Sequence, residues 1–278
     1  MLKQRIITAL ILAPLMIGGI FFLPLYEFKL FIGLITCIGA WEWANFSGIE
    51  KQPGRIAYAI VLSLAVFAVA QMPAAYQVPL LYVALVWWIF AFILVRSYPS
   101  LSQLWHAPAA RMVLGFIVLL PMWVGFVHLK TYALSDYLIL FVMLIVWGAD
   151  VGAYFSGRTF GKNKLAPNVS PGKTWEGVYG GLATTVLIAI GGGYCLDTYT
   201  DIHMSAGRWA ALIGVTVLVT MVSVLGDLVE SMLKRHRGIK DSSQLLPGHG
   251  GIMDRIDSMT AAVPVFALAL TWLQWNFN

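Results

Sequence analysis

The sequence predicts an all-α polytopic integral membrane protein of about nine transmembrane helices, with its N-terminus in the cytoplasm. Three observations carry that expectation. Of 278 residues, 59% are hydrophobic and 11% charged, with a mean hydropathy of +0.79, whereas a soluble domain of this length holds about a quarter charged residues. The apolar residues gather into runs near the roughly 20 residues that a span requires. The basic residues then sort by side, as short loops on the cytoplasmic face tend to do.

In chain order the runs lie at about 6–25, 28–47, 56–72, 78–95, 109–128, 136–155, 177–196, 209–227 and 258–275. The first follows a charged start, as in a signal peptide, but no small-residue cleavage site follows it, so it is expected to stay as a helix. The link Pro24-Leu25-Tyr26-Glu27 makes the first two runs a hairpin. Pro73 and Pro79 are expected to bound the link after the third, because the residue before a proline disfavours helix. Alternating from a cytoplasmic N-terminus puts Lys3, Arg5, Lys51, Arg55, Arg96, Arg111, Arg158, Lys162, Lys164, Lys173, Lys234, Arg235, Arg237, Lys240 and Arg255 inside. Only Lys29, Lys130 and Arg208 of the 18 basic residues fall outside, as does the C-terminus.

The net charge of +5 is no nucleic-acid signal, because it is spread over short loops. Cys37 and Cys195 both lie in apolar runs, without disulfide or metal-ligand spacing. Internal repeats are absent. Residues 1–135 have short, plain loops and read as a membrane scaffold of about five helices. Residues 136–278, with about four, hold the unusual polar sequence and read as the site-bearing domain.

Four constellations stand out. Asp227 ends the eighth run, and Asp254 and Asp257, three apart, share a helix face as the ninth begins. Carboxylates from two helix ends in a basic setting suit Mg²⁺, which takes oxygen ligands, retains waters and bridges phosphates. Taken singly, each aspartate also reads as an interfacial charge paired with Arg255 or Lys234. Lys234, Arg235, Arg237 and Lys240 suit phosphate oxygens, although a juxtamembrane cluster facing anionic lipid reads the same way. After them comes Pro247-Gly248-His249-Gly250-Gly251, where Gly250 and Gly251 allow close backbone approach to a ligand and His249 is a candidate for proton transfer.

The third is Ser170-Pro171-Gly172-Lys173-Thr174-Trp175-Glu176-Gly177. A phosphate-binding P-loop needs a glycine where Pro167 stands, so what remains is a helix N-terminus with Lys173 as an anion site. The fourth is Asp150, well inside the sixth run, where an intramembrane carboxylate is functional by default. Around it Gly148, Gly152 and Ser156 form a small-residue seam for helix packing. Glu42, between Trp41 and Trp43, is a weaker case, since tryptophans at a membrane boundary commonly flank a polar residue.

Residues 231–257 resemble the signature of the phosphatidate cytidylyltransferase (CDP-diacylglycerol synthase) family. The matching positions are Ser231, Leu233, Lys234, Arg235, Lys240, Asp241, Ser243, Leu246, Pro247, His249, Gly250, Gly251, Ile252, Asp254, Arg255, Ile256 and Asp257. Asp150, the SPGKTWEG loop and Asp227 are similar too, except that Gly172 stands where the family often has a second basic residue. The resemblance implies transfer of the cytidylyl group of CTP to phosphatidate, giving CDP-diacylglycerol and pyrophosphate at the cytoplasmic face of a bacterial inner membrane. It implies Mg²⁺ on Asp227 and Asp254 with Asp257 as an outer contact, K⁺ beside it, and a homodimer. Catalytic duty would fall to Asp227, Lys240, His249, Asp254 and Asp257. Asp150, Ser170, Lys173, Lys234, Arg235, Gly250, Gly251 and Arg255 would bind substrate. A CTP-dependent polyprenol-type lipid kinase and an ion-coupled transporter are the rival readings.

Overall fold

The computed structural model describes residues 2–275 and consists of nine α-helices and one small hairpin. The side chains of Lys3 and Arg5, counted above with the inner charges, and residues 276–278, expected above on the outer side, lie outside what it describes. The helices are α1 (Leu2–Phe22), α2 (Leu25–Phe46), α3 (Gln52–Ala70), α4 (Ala74–Arg96), α5 (Pro108–Leu129), α6 (Ser135–Phe160), α7 (Trp175–Tyr199), α8 (Ala206–Arg237) and α9 (Met253–Leu273). Each apolar run became one helix. By length and composition seven of them, α3 to α9, can cross a membrane. In α1 the apolar stretch shortens to Leu10–Phe22, and α2 carries Glu27, Lys29 and Glu42.

Two expectations about boundaries are corrected. Pro79 does not bound the link after α3; it lies inside α4, which starts at Ala74. The link is pinned instead by Gln77, whose Nε2 donates to the Val69 and Met72 carbonyls at the end of α3. The eighth helix does not end at Asp227. It runs ten residues further, to a left-handed Gly238 at φ +67°, which accepts the turn without a Cβ penalty. At 1.5 Å per residue its 32 residues span about 48 Å, well beyond a hydrocarbon core of about 30 Å. The link between the eighth and ninth runs is thus a loop of 238–252 only, and Asp254 and Asp257 stand together at the start of α9, as their spacing predicts.

The core is continuous across both halves of the chain. At its centre lies α9, buried without a break from Ser258 to Leu270. Gly226 lets α8 and α9 touch: a Cβ there would stand 2.7 Å from the Asp257 carbonyl oxygen. The seam on α6 finds its partner in α7. A Cβ on Gly152 would meet the Gly180 carbonyl, and Gly177 and Gly181 face the carbonyls of Ala153 and Ala149. Helix backbones approach this closely where small residues line both faces.

Strands β1 (Lys164–Ala166) and β2 (Ser170–Thr174) form an antiparallel hairpin between α6 and α7, an addition to the all-helical expectation. Thr174 caps α7, its hydroxyl accepting from Gly177 N at 3.2 Å. The hairpin is tied down by Glu176, which accepts from the backbone amides of Lys162 and Asn163.

Candidate active site

Cross-links place the links α2–α3, α4–α5, α6–α7 and α8–α9 at one end of the bundle. Arg237 at the end of α8 donates to Asn45 O in the last turn of α2 and to Glu50 after it, and the His236 ring lies 4.7 Å from that of Trp105. Thirteen of the fifteen charges read as inner from the alternation, all but Lys3 and Arg5, therefore lie in or beside links at one end. His236 and Arg237 are bound to protein rather than turned to lipid headgroups.

Lys173, on β2, reaches across to α8, where its Nζ lies 2.6 Å from Asp227 Oδ2. Ser231, one turn on, donates to Asp227 Oδ1 at 3.2 Å. A second pairing lies deeper. Lys234 Nζ stands 2.7 Å from both Glu230 Oε2 on its own helix and Asp254 Oδ1 on α9. The two layers differ in access: the side chains of Lys173 and Asp227 are 27% and 28% exposed, those of Glu230 and Asp254 only 2% and 6%. The outer pair can meet a ligand; the inner trio holds two helices together.

Asp254 is also the organiser of the signature loop. Its Oδ2 accepts from Ser242 N, Ser242 Oγ and Gly251 N. The loop closes in a tight turn, with His249 N donating to Leu246 O and Leu246 N to Gly250 O. Gly248 and Gly250 both sit at φ +77°, and a Cβ on Gly250 would stand 2.6 Å from Asp254 Oδ2. Gly250 and Gly251 thus serve this clamp as arranged, and His249, partly buried, ends the turn.

Around the two lysines lie five carboxylates. Asp150 is within Coulomb reach of Asp227, Lys173 and Arg255, and Asp257 of Asp227 and Glu230. Asp150 and Lys173 line one pocket of about 380 Å³ with Tyr154 and Arg158. Among the other predicted residues, Ser170 opens β2, Arg235 donates to Val169 O in the hairpin turn, and Lys240 and Arg255 are exposed. Among the described residues no ion pair joins Lys240 or Arg255 to a carboxylate.

One site residue, Glu230, escaped the sequence reading, and another, Glu42, was read there only as a weaker case. Glu230 was legible as the i+3 neighbour of Asp227, the same spacing that singled out Asp254 and Asp257. Glu42 had only its flanking tryptophans, and it proves wholly buried at the foot of the loop. Its carboxylate accepts from Ser243 Oγ at 2.6 Å, Ser242 Oγ at 3.2 Å, Ile252 N at 3.0 Å and Met253 N at 2.6 Å. It therefore caps α9 from 211 residues away.

The donor set fits a hard divalent cation. Glu230 Oε1 is buried with no hydrogen-bond partner among the described residues, and five carboxylates outnumber the nearby cations. No three acidic, histidine or cysteine side chains among the described residues converge on one point. One or two carboxylates completed by phosphates and water is the usual Mg²⁺ arrangement.

The cytidylyltransferase family model matches residues 3–273. The chain belongs to the cytidylyltransferase family. Similar cytidylyltransferases include the phosphatidate cytidylyltransferase of Pseudomonas aeruginosa, 53% identical over 272 residues, covering 98% of this chain and 97% of that one. That of Haemophilus influenzae is 39% identical over 290 residues, covering 96% and 98%. That of Staphylococcus epidermidis is 36% identical over 280 residues, covering 97% and 99%.

Proposed function

We propose that this protein transfers the cytidylyl group of CTP to phosphatidate, releasing pyrophosphate and leaving CDP-diacylglycerol in the membrane. The observation that carries the reading is the half-buried, solvent-reachable Lys173–Asp227 pair beside Asp150, in a chain matched end to end by relatives of that name. In the reaction an oxygen of the lipid phosphate forms a bond to the α-phosphorus of CTP, and the bond from that phosphorus to the bridging oxygen breaks. The nucleophile is already ionised, so it needs little help from a base. What must be overcome is repulsion between two polyanions meeting a cluster that is itself acidic. Bound Mg²⁺ would supply charge neutralisation of the phosphates and of the leaving pyrophosphate.

Asp227 is the residue to hold Mg²⁺, with Glu230 and Asp257 beside it, and K⁺ as an accompanying cation. Lys173 leaves Asp227 for a phosphate once substrate arrives. Lys234 keeps Asp254 and Glu230 compact, and Asp254 fixes the loop that carries Gly250, Gly251 and His249, the latter for proton transfer to pyrophosphate. Arg255, Lys240 and Arg235 form the cationic approach for CTP. All nine helices span the inner membrane of a bacterial cell, with the N-terminus and the site on the cytoplasmic side, and the protein works as a homodimer. Residues 136–278 are the catalytic part; residues 1–135 are scaffold and supply Glu42.

The test uses purified protein, phosphatidate, Mg²⁺ and CTP labelled separately at its α- and γ-phosphates. Label from the α-phosphate in the lipid fraction, abolished in Asp227→Asn, is expected. Label from the γ-phosphate instead means a lipid kinase and refutes the proposal.

A further inference from the structure

Beside the site, an apolar groove of about 650 Å³ lies between α4 and α8. Leu85 and Phe92 of α4 form one wall, Leu218 and Leu225 of α8 the other, with Trp175 of α7 behind and Leu165 of the hairpin as a roof. Phe92 and Leu218 are 60% and 43% exposed, so the groove opens sideways, out of the bundle. From Leu85 to Arg96 its α4 wall runs about 16 Å, close to the depth of one leaflet of hydrocarbon.

At the roofed end the chemistry changes. Arg96 and Lys164 line the groove there, and among the described residues neither is in an ion pair. The roof is fastened to both walls: Asn168 Nδ2 donates to Tyr98 O after α4, and Arg235 Nε of α8 donates to Val169 O, each at 3.2 Å. That same hairpin delivers Lys173 to Asp227. Leu165, Val178 and Val224 face both the groove and the pocket of Asp150 and Lys173. An apolar slot, a cationic rim and the reactive pocket therefore share one partition.

A second apolar cavity, of about 530 Å³, lies between Leu138 of α6, Tyr199 of α7 and Leu273 of α9, at the far end of the bundle. Of its α8 lining residues, Leu212 and Val215, the nearer is twelve residues from Asp227, about 18 Å along the helix. A headgroup seated there is out of reach of the lysines.

We infer that the α4–α8 groove seats an acyl chain of an anionic phospholipid, whose phosphate rests on Arg96 and Lys164 before it passes to Lys173. That the lipid is phosphatidate rests on the transferase reading above; that the groove takes an anionic phospholipid does not. The rim matches the headgroup in charge, the slot matches the chain in length and polarity, and the opening faces the bilayer.

The full chain in phosphatidylcholine nanodiscs is irradiated with phosphatidate bearing a diazirine at one acyl terminus, and labelled peptides are mapped by mass spectrometry. Label is expected within 85–96 and 218–228, reduced by excess phosphatidate and not by further phosphatidylcholine. Equal reduction by phosphatidylcholine, or label confined to 134–144 and 192–200, overturns the inference. So do disulfide-linked dimers of a Leu218→Cys variant, absent from the parent chain, since a second copy would then cover the groove. In the transfer assay, Leu218→Trp and Arg96→Gln are each expected to raise KM for phosphatidate about tenfold with KM for CTP unchanged; a fall in kcat alone contradicts the assignment. Label in the groove without transfer would sink the transferase reading and leave the groove. Transfer with label elsewhere would sink the groove alone.

Discussion

Replacing Glu42 by alanine removes a buried carboxylate that holds four donors, yet lies outside the signature. The two serine hydroxyls can turn to other acceptors, and Ser242 Oγ already donates to Asp254 Oδ2 at 2.7 Å. The amides of Ile252 and Met253 cannot turn. Hydrogen bonds to a charged group contribute about 1.5–3 kcal/mol each, so losing these two costs about 3–6 kcal/mol of local order. At about 1.4 kcal/mol per tenfold, the loop 242–253 would be held in its active arrangement about 10² to 10⁴ times less often. Transfer of α-label from CTP to phosphatidate should fall by about 10² or more. Hydrogen exchange of the 250–256 amides should quicken while that of 85–95 in α4 stays slow. Glu42→Gln keeps an acceptor oxygen and should fall between. If Glu42→Ala stays within about twofold of the parent in transfer and in exchange at 250–256, the cap has no functional weight and the reasoning fails.

Three other substitutions separate roles within the cluster. Lys234→Met strands two buried carboxylates, and removing one partner of a buried pair costs about 3–5 kcal/mol; thermal unfolding in detergent should show the loss, whereas Lys173→Met should lower transfer with little change in melting. Gly250→Ala forces a Cβ into a left-handed backbone beside Asp254 Oδ2 at about 1–2 kcal/mol for the backbone alone, so kcat should drop while the helical circular dichroism is kept. Gly226→Leu wedges α8 from α9 at the Asp257 carbonyl, an overpacking of about 1–3 kcal/mol. It should raise the Mg²⁺ concentration needed for half-maximal transfer, because Asp227 and Asp257 are carried by the two helices it separates.

The nine helices were legible because each apolar run is long and bounded, and because hydropathy, unlike packing, needs no partner to be read. Asp227, Asp254, Asp257, Lys173 and Lys234 were legible as charges in a chain that has few. Glu42 was not: its partners are serines and backbone amides some two hundred residues away, and nothing local distinguishes a buried cap from a boundary charge. The end of α8 was misjudged for a related reason. Hydropathy falls after Asp227, but the helix continues on protein contacts, Lys234 to Asp254 and Arg237 to Asn45, which a window of hydrophobicity does not register. The hairpin was missed because five residues with a proline and a glycine carry almost no strand signal.

That extension of α8 explains how so acidic a cluster sits beside a bilayer. From Ala206 to Asp227 the helix covers about 32 Å, one hydrocarbon thickness, so it is long enough to cross the lipid tails before Asp227 and to carry the following turns beyond them. Glu230 and Lys234, one and two turns on, meet Asp254 there, and the hairpin brings Lys173 in from the side. No single helix supplies both signs of charge at the exposed layer: Asp227 belongs to α8 and Lys173 to β2, and what joins them is the close α6–α7 packing that positions the hairpin. The small-residue seam of Gly152 and Gly180 therefore has a chemical consequence as well as a structural one. Spreading α6 from α7 would shift Asp150 and Lys173 relative to Asp227 without touching any of the three.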